Sequence, residues 1–523
     1  MTRQKSDGRI APAGRRNAAV TRGVEPREGG RATTVEKPVL QLSLDFASAE
    51  KAAAPAVAID GEAARGVPRA VSFAAPKAKP KEESAEQATM EGVVQRLHGA
   101  FEKVAANRGA PGPDRQSVDE VREQLPRLLP ALRAALLDGS YRPGEIRRVW
   151  IPKAGGKQRG LGIPNVVDRM VQEAVRQALE PMYEPQFREE SHGFRPGRSC
   201  QTAIAAAKGH VDEGYEWMVD LDLEKFFDRV HHQRLMARLA QRVTDRRLLV
   251  LIARMLKAKV ILPDGVVVRT EEGVPQGGPL SPLLSNIVLD ELDAELARRG
   301  HRFVRYADDL NVYVRSERAG QRVMAGIVSF IERRLRLRVN RDKSAVARTG
   351  ERHFVGFRLR REPTDGSVEV LLSARSKERI DARIRELAPR NWGSSLTACI
   401  TRLNEYTRGW MGFFGICTES VEYTLSGLDA HIRRRLRAIQ LAHWKRKRTI
   451  VRRLMRNGVR AKTAWRYIYE GRKSLWALSH CSAVHRGLSN AYFAERGLVP
   501  LLELYRNHPA RFVAPAQPNV ALG

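Results

Sequence analysis

The chain has 523 residues, 91 Lys and Arg against 59 Asp and Glu, a formal net charge of +32 and a pI near 10.6. That length exceeds what one core ordinarily supports, so more than one domain is expected, and 42% apolar content is enough to fill their cores. No apolar run nears the roughly 18 residues that span a bilayer, and no apolar segment follows the basic start, so neither a membrane-spanning nor a secreted protein is expected.

The four cysteines, Cys200, Cys399, Cys417 and Cys481, form no CxxC pair, which argues against a zinc ribbon or disulfide framework and suits a reducing cytosol. The positive excess favours a polyanionic partner, through counterion release from phosphates. It is uneven: residues 371–523 carry 28 Lys and Arg but only 10 Asp and Glu.

Residues 1–88 are rich in Ala, Arg, Gly, Pro and Glu and poor in aromatics, and are read as a disordered arm. Within it VLQLSLDF (39–46) is amphipathic; scattered acids argue against an organelle transit peptide. Val94, Leu97, Phe101 and Val104 share one helical face. NRGAPGPD (107–114) is a turn cluster, and 125–137 repeats the helical period. RRVWIP (147–152) reads as a strand, KAGGKQRG (153–160) as a tight basic hairpin turn, and 168–179 as a helix. Two acid-bearing stretches read as strands: WMVDLDLEKFFDRV (217–230) and RFVRYADDLNVYVR (302–315), the second a hairpin with ADD at its tip. Between them the Gly/Pro loop 271–286 leads into a helix, PLLSNIVLDELDAEL (282–296). A helix through Val323, Ile327, Phe330, Ile331 and Leu335 follows, then strand-like LRLRVN (335–340) and FVGFRL (354–359). Beyond about 371 the chain reads as long, Arg-dense helices (395–416 and 428–458), and interleaved aromatics such as Trp410, Trp444 and Trp476 favour a surface that grips RNA.

Asp308 and Asp309 are neighbouring acids that repel one another unless a cation joins them. Hard oxygen donors suit Mg²⁺, and Asp222 on a neighbouring strand would complete a site for two ions able to drive in-line displacement at phosphorus. Asp220 shares the face of Asp222 at i, i+2 spacing. The adjacent His231 and His232 have no Cys or His partners near them in sequence and are read as structural, as is a buried Cys200.

These blocks, in this order, resemble reverse transcriptases, and among them the reverse transcriptase/maturases encoded by group II introns. VWIPKAGGKQRGLGIP and HGFRPGRSC match the family's first two blocks. DLEKFFD (222–228), GVPQGGPLSPLLSN, YADD, LRVNRDKS (337–344) and HFVGFRL (353–359) match those that follow. RLNEYTRGWMGFF with LDAHIRRRLR is similar to the maturase-specific domain. The resemblance covers about 90–500 and implies an α+β right-hand polymerase. Fingers and palm would occupy 89–370, an all-α basic thumb/maturase region 371–510, and a tail 511–523.

It implies roles residue by residue. Asp222, Asp308 and Asp309 would be catalytic and would ligate two Mg²⁺ ions, joined by the Leu223 backbone carbonyl; Asp228 would be a structural or supporting acid. Lys153 and Arg159 would clamp the dNTP triphosphate, Phe227 would exclude a 2′-hydroxyl, Gln276 and Gly277 would lie under the nucleotide, and Lys343 would approach the site. Arg433, Arg434, Arg435, Lys445, Arg446, Lys447 and Arg448 would contact RNA. The partners implied are intron RNA, an RNA template, a DNA target or primer and dNTPs, in a cytoplasmic ribonucleoprotein of bacterial type without membrane contact. No HNH pattern or cysteine pair follows the maturase-like stretch, so no endonuclease domain is expected and the primer would come from elsewhere. Two other readings stand beside this one: a domesticated reverse transcriptase serving defence or repair without an intron, and a non-enzymatic RNA-binding splicing factor.

Overall fold

The structure is a computed structural model, which describes residues 87–152, 158–471 and 473–509. The arm up to residue 86, Lys153 with the rest of its turn, and the 511–523 tail lie outside the described residues.

A helix spans Met90–Ala106, capped by the Thr89 side chain. The next, Val118–Leu137, starts seven residues earlier than its sequence pattern suggested, because Ser117 and Glu120 form a capping box. Pro126 and Pro130 lie on its exposed face, while Val121, Leu125, Leu132 and Leu136 keep the buried face continuous.

The first sheet has the order β2-β1-β4-β5. β1 (Ile146–Pro152) and β2 (Gln158–Ile163) pair antiparallel as the basic hairpin; β4 (Val260–Ile261) and β5 (Val267–Val268) extend it. The central sheet has the order β6-β7-β3-β8, formed by β3 (Trp217–Leu221), β6 (Arg302–Tyr306), β7 (Asp309–Val314) and β8 (Ala345–Arg348). β9 (Phe357–Arg361) and β10 (Val368–Leu372) form a separate hairpin.

Side chains alternate across the central sheet and bury both faces. Val219, Phe303 and Val312 join the core made with the N-terminal helices. Met218, Val304 and Tyr313 join a second core with the Cys200–Asp212 helix and the C-terminal helices. Two buried faces explain why apolar residues stand next to each other in these strands, as at Met218–Val219, Phe303–Val304 and Val312–Tyr313, instead of alternating with polar ones.

Three expectations need correction. The acid-bearing strand ends at Leu221: Lys225 adopts a left-handed conformation (φ 50°), and Phe226–Arg229 forms a 3-10 turn, so Asp222 and Phe227 lie beyond the strand. The 335–340 stretch is not a strand either. A π-helical turn, Ile331–Leu335, ends at left-handed Arg336, and only Val339 bridges, to Leu223. The long basic helix is broken at Lys445 (φ 57°, ψ −70°) into Glu422–Trp444 and Lys447–Arg456.

Candidate active site

The carboxylates meet through strand register. Antiparallel pairing of β3 with β7 sets Asp220 opposite Asn311 and Leu221 opposite Leu310. Asp222 and Asp309 follow immediately beyond the last of these pairs, near enough for the Asp222 charge to act on the Asp309 carboxyl. The β6–β7 hairpin turns in two residues, Ala307 and Asp308, between paired Tyr306 and Asp309. Ala307 takes positive φ (57°), a conformation that ordinarily favours glycine at such a turn.

A buried network holds that strained turn. Arg305 is fully buried, and its Nε donates to Asp293 Oδ1 at 2.8 Å. Its Nη1 donates to the Ala307 carbonyl at 2.8 Å and to Asn286 Oδ1 at 3.0 Å, and its Nη2 donates to Ser191 Oγ at 2.7 Å. Asn286 and Asp293 stand seven residues apart, two turns on one face of the Ser281–Arg298 helix. Asn286 Nδ2 also donates to the Gly193 carbonyl at 2.9 Å. Gly193 lies so close that a Cβ there would fall 2.2 Å from the Ala307 nitrogen. One guanidinium thus ties the ADD turn to the 281–298 helix and to the HGFRP loop.

The acids are not equivalent. The Asp309 carboxyl is pushed up to about 7, first by loss of hydration, then by Asp308, Asp220 and Asp222, with Lys343 pulling the other way. The residue as a whole is exposed, so like-charge crowding is the firmer cause. Asp222 receives Lys343 Nζ on its Oδ2 at 3.0 Å, and its backbone N–H donates to Ser344 Oγ. Asp220 is otherwise engaged: Arg352 Nε donates to it at 2.8 Å. Each of the two acids thus carries its own cation, Arg352 on Asp220 and Lys343 on Asp222, and both carboxylates act on Asp309. Asp228 is exposed in the 3-10 turn. Leu223 is buried and bridged to Val339. His232 is structural: its Nε2 lies 2.6 Å from the Gly273 carbonyl. Cys200 is buried at the start of its helix.

Among the described residues no three His, Cys, Asp or Glu side chains stand as a preformed metal cage. The donor chemistry nevertheless fits a hard divalent cation. Carboxylate donors converge, and their mutual repulsion raises the Asp309 carboxyl, a penalty that a cation relieves.

Arg159 and Gln276 come together, as Arg159 Nε donates to Gln276 Oε1 at 2.9 Å. The Gln276 carbonyl accepts from Gly162 N at 2.6 Å. Gly277 (φ 114°) is indispensable there, since a Cβ would meet the Gly162 carbonyl at 2.4 Å. The Gly/Pro loop is therefore clamped against β2. Phe227 is 8% exposed, within the main core, and its carbonyl accepts from Val274 N in the same loop. It packs the core while its backbone holds the Gly/Pro loop.

In the C-terminal region the basic residues divide by burial. Lys445, Arg446 and Arg448 are exposed, and Lys447 sits over the Tyr469 ring at 5.3 Å. Arg435 leaves the RNA-contacting set: it is buried, and its Nε and Nη2 donate to the Ala388 and Arg385 carbonyls at the end of the Ala374–Leu387 helix. Arg305, Asp293 and Arg437 were not singled out from sequence. An Arg inside an apolar strand, as in RFVRY, was the available signal for the first.

Residues 151–359 match the reverse transcriptase (RNA-dependent DNA polymerase) family, and residues 377–458 match the group II intron maturase-specific domain. Protein YkfC of Escherichia coli is 34% identical over 339 residues, 57% of this chain and 86% of that protein. Group II intron-encoded protein LtrA of Lactococcus lactis is 29% identical over 365 residues, 54% of this chain and 60% of that relative's length. Among solved structures, a chain of a partial Cas6-RT-Cas1--Cas2 complex is 23% identical with a TM-score of 0.30, over 46% of this chain and 42% of that one. Among the described residues no helix is long and apolar enough to cross a membrane.

Proposed function

The chain belongs to the family of reverse transcriptase/maturases encoded by group II introns, and from that premise we propose that it binds its intron RNA, assists splicing and copies the RNA into DNA at a target site. The observation that carries the polymerase reading is the convergence of Asp222 and Asp309 beside a turn carrying Asp308, held by Arg305. In this reading residues 89–370 are fingers and palm, 371–510 are the thumb and maturase region, and the whole acts as a cytoplasmic ribonucleoprotein.

Asp222, Asp308 and Asp309 would hold two Mg²⁺ ions, with the Leu223 carbonyl assisting. The ions supply charge neutralisation for in-line displacement at the dNTP α-phosphorus. Arg159 approaches the triphosphate from β2, and Lys153 joins it in clamping the phosphates. Gln276 orients Arg159 and, with Gly277, forms the floor under the nucleotide. Phe227 closes the sugar side against a 2′-hydroxyl. Lys343 neutralises Asp222 until the cations and substrate arrive. Crowded, mutually repelling acids give a purely structural splicing factor no benefit, which favours the enzyme.

The intron role is tested by purifying the chain from its host and sequencing the RNA that accompanies it. A single enriched intron surrounding the gene supports the role. A diffuse population, or an unrelated structured RNA, contradicts it and favours a domesticated enzyme.

A further inference from the structure

The C-terminal region contains a cavity of about 420 Å³ that belongs to neither the carboxylate site nor the exposed basic run. Arg433, Arg434 and Arg437 of the 422–444 helix line it, with His431, Trp476, His480 and His485; no Asp or Glu is among the lining residues, and Asp381, behind His431, is already taken by His431 Nδ1 at 2.7 Å and by Arg385. Arg437 is 5% exposed. Its Nε donates to the Leu488 carbonyl at 3.0 Å, and Nη1 lies 3.2 Å from His485 Nε2. Among the described residues no carboxylate pairs with it. Burial first, and then Arg433, pull its guanidinium down to about 10. His485 is held towards its neutral form by burial and by Arg437, His480, Arg433 and Arg434, so it serves as an acceptor and adds no charge.

Arg434 repeats the pattern. Its Nε is buried without a hydrogen-bond partner, and its guanidinium lies 4.2 Å from the Trp476 ring centre, with Arg390 at 4.5 Å. Trp476 thus holds guanidinium groups in place through cation–π contact. A buried cation without a counter-charge is unfavourable until an anion joins it. Guanidinium forks match the oxygens of phosphate. Lys445 lies eight residues beyond Arg437, about 12 Å along the helix axis, so one polyanion can span the cavity and the exposed run.

We propose that this cavity seats a backbone phosphate of bound RNA, held by Arg433, Arg434 and Arg437. The inference rests on the reading of the chain as an RNA-binding maturase and adds to it a built anchoring site.

The test compares the full chain with the Arg433→Gln/Arg434→Gln variant, each against its own baseline. Melting is followed in inorganic phosphate and in chloride at equal ionic strength. The wild-type Tm rises in phosphate and the variant's does not; an equal rise in both, or none in the wild type, overturns the site. Saturating poly(U) RNA abolishes the phosphate-dependent rise, whereas a rise that persists with RNA bound assigns the cavity to free phosphate and overturns the RNA assignment. The variant binds poly(U) about tenfold more weakly at moderate salt. Its log–log salt slope falls by about 0.7, as one lost phosphate contact requires. Unchanged affinity and slope contradict the proposal. Should the double variant fail to fold, Arg434→Gln alone serves the same comparisons. Primer extension by the wild-type chain is scored separately, so a silent cavity leaves the polymerase reading standing.

Discussion

Arg305 and Asp293 form a buried ion pair, Nε to Oδ1 at 2.8 Å, that joins the strand before the ADD turn to the helix behind it. The same guanidinium holds the Ala307 carbonyl, so the pair secures both the fold and the position of Asp308. Asp293→Ala leaves a buried cation uncompensated and is expected to destabilise the chain by about 3–5 kcal/mol. Denaturant unfolding measures this; a loss under 1 kcal/mol would show that the pair is dispensable.

Gln276→Ala and Arg159→Gln should each raise the KM for dNTPs about tenfold, with a smaller fall in kcat. Because the two side chains share a 2.9 Å hydrogen bond, the double variant should lose less than the product of the single effects. Strict additivity in steady-state kinetics would mean that they act separately.

Phe227→Ala should increase ribonucleotide incorporation relative to dNTP. Phe227 is also a core residue, so the substitution should cost about 3–5 kcal/mol in unfolding measurements. Stability loss with unchanged sugar discrimination would reduce Phe227 to packing alone.

His192 supplies a pH prediction. Burial first, then Arg198, Arg195 and Arg305, lower its imidazole from 6.5 to about 3. The unfolded chain therefore binds a proton that the folded chain refuses between those values. The stabilisation is complete above pH 6.5 and is lost as pH falls towards 3, at up to about 1.4 kcal/mol per unit. His192→Gln should flatten the stability profile by that slope between pH 6 and 4. An unaltered slope would place the imidazole's titration elsewhere.

Adding Mg²⁺ at neutral pH should raise the Tm of the wild-type chain, and chelation should reverse the rise. In Asp309→Asn the rise should shrink, because the repulsion that the cation relieves has been removed. An identical Mg²⁺ response in both proteins would place the cation away from Asp309.

Local signals carried much of the fold. The hairpin around ADD shows as two apolar runs about a short turn, and the basic β1–β2 hairpin as a strand before a Gly-rich turn. What escaped was set by contacts distant in sequence. Asp220 and Asp222 look equivalent by spacing; the resemblance favours Asp222, and the different cations that each acid takes, Arg352 and Lys343, lie 132 and 121 residues away, beyond any local signal. The strand reading of 217–230 failed because a single left-handed residue, Lys225, turns the chain, and Lys carries no signal for that conformation. In the basic C-terminal helix, Arg433, Arg434 and Arg435 read as one charged surface, and Arg437 passes unnoticed. The fold buries Arg435 on helix-end carbonyls and turns Arg437 into a cavity, a distinction that helical periodicity among so many arginines conceals.

The most direct measurement is primer extension on an RNA template with dNTPs, comparing the wild-type chain with Asp308→Asn. The account predicts Mg²⁺-dependent cDNA synthesis by the wild type and its loss, by several orders of magnitude, in a variant that still folds and still binds RNA. Undiminished synthesis by Asp308→Asn would contradict the assignment of the ADD turn as the catalytic centre.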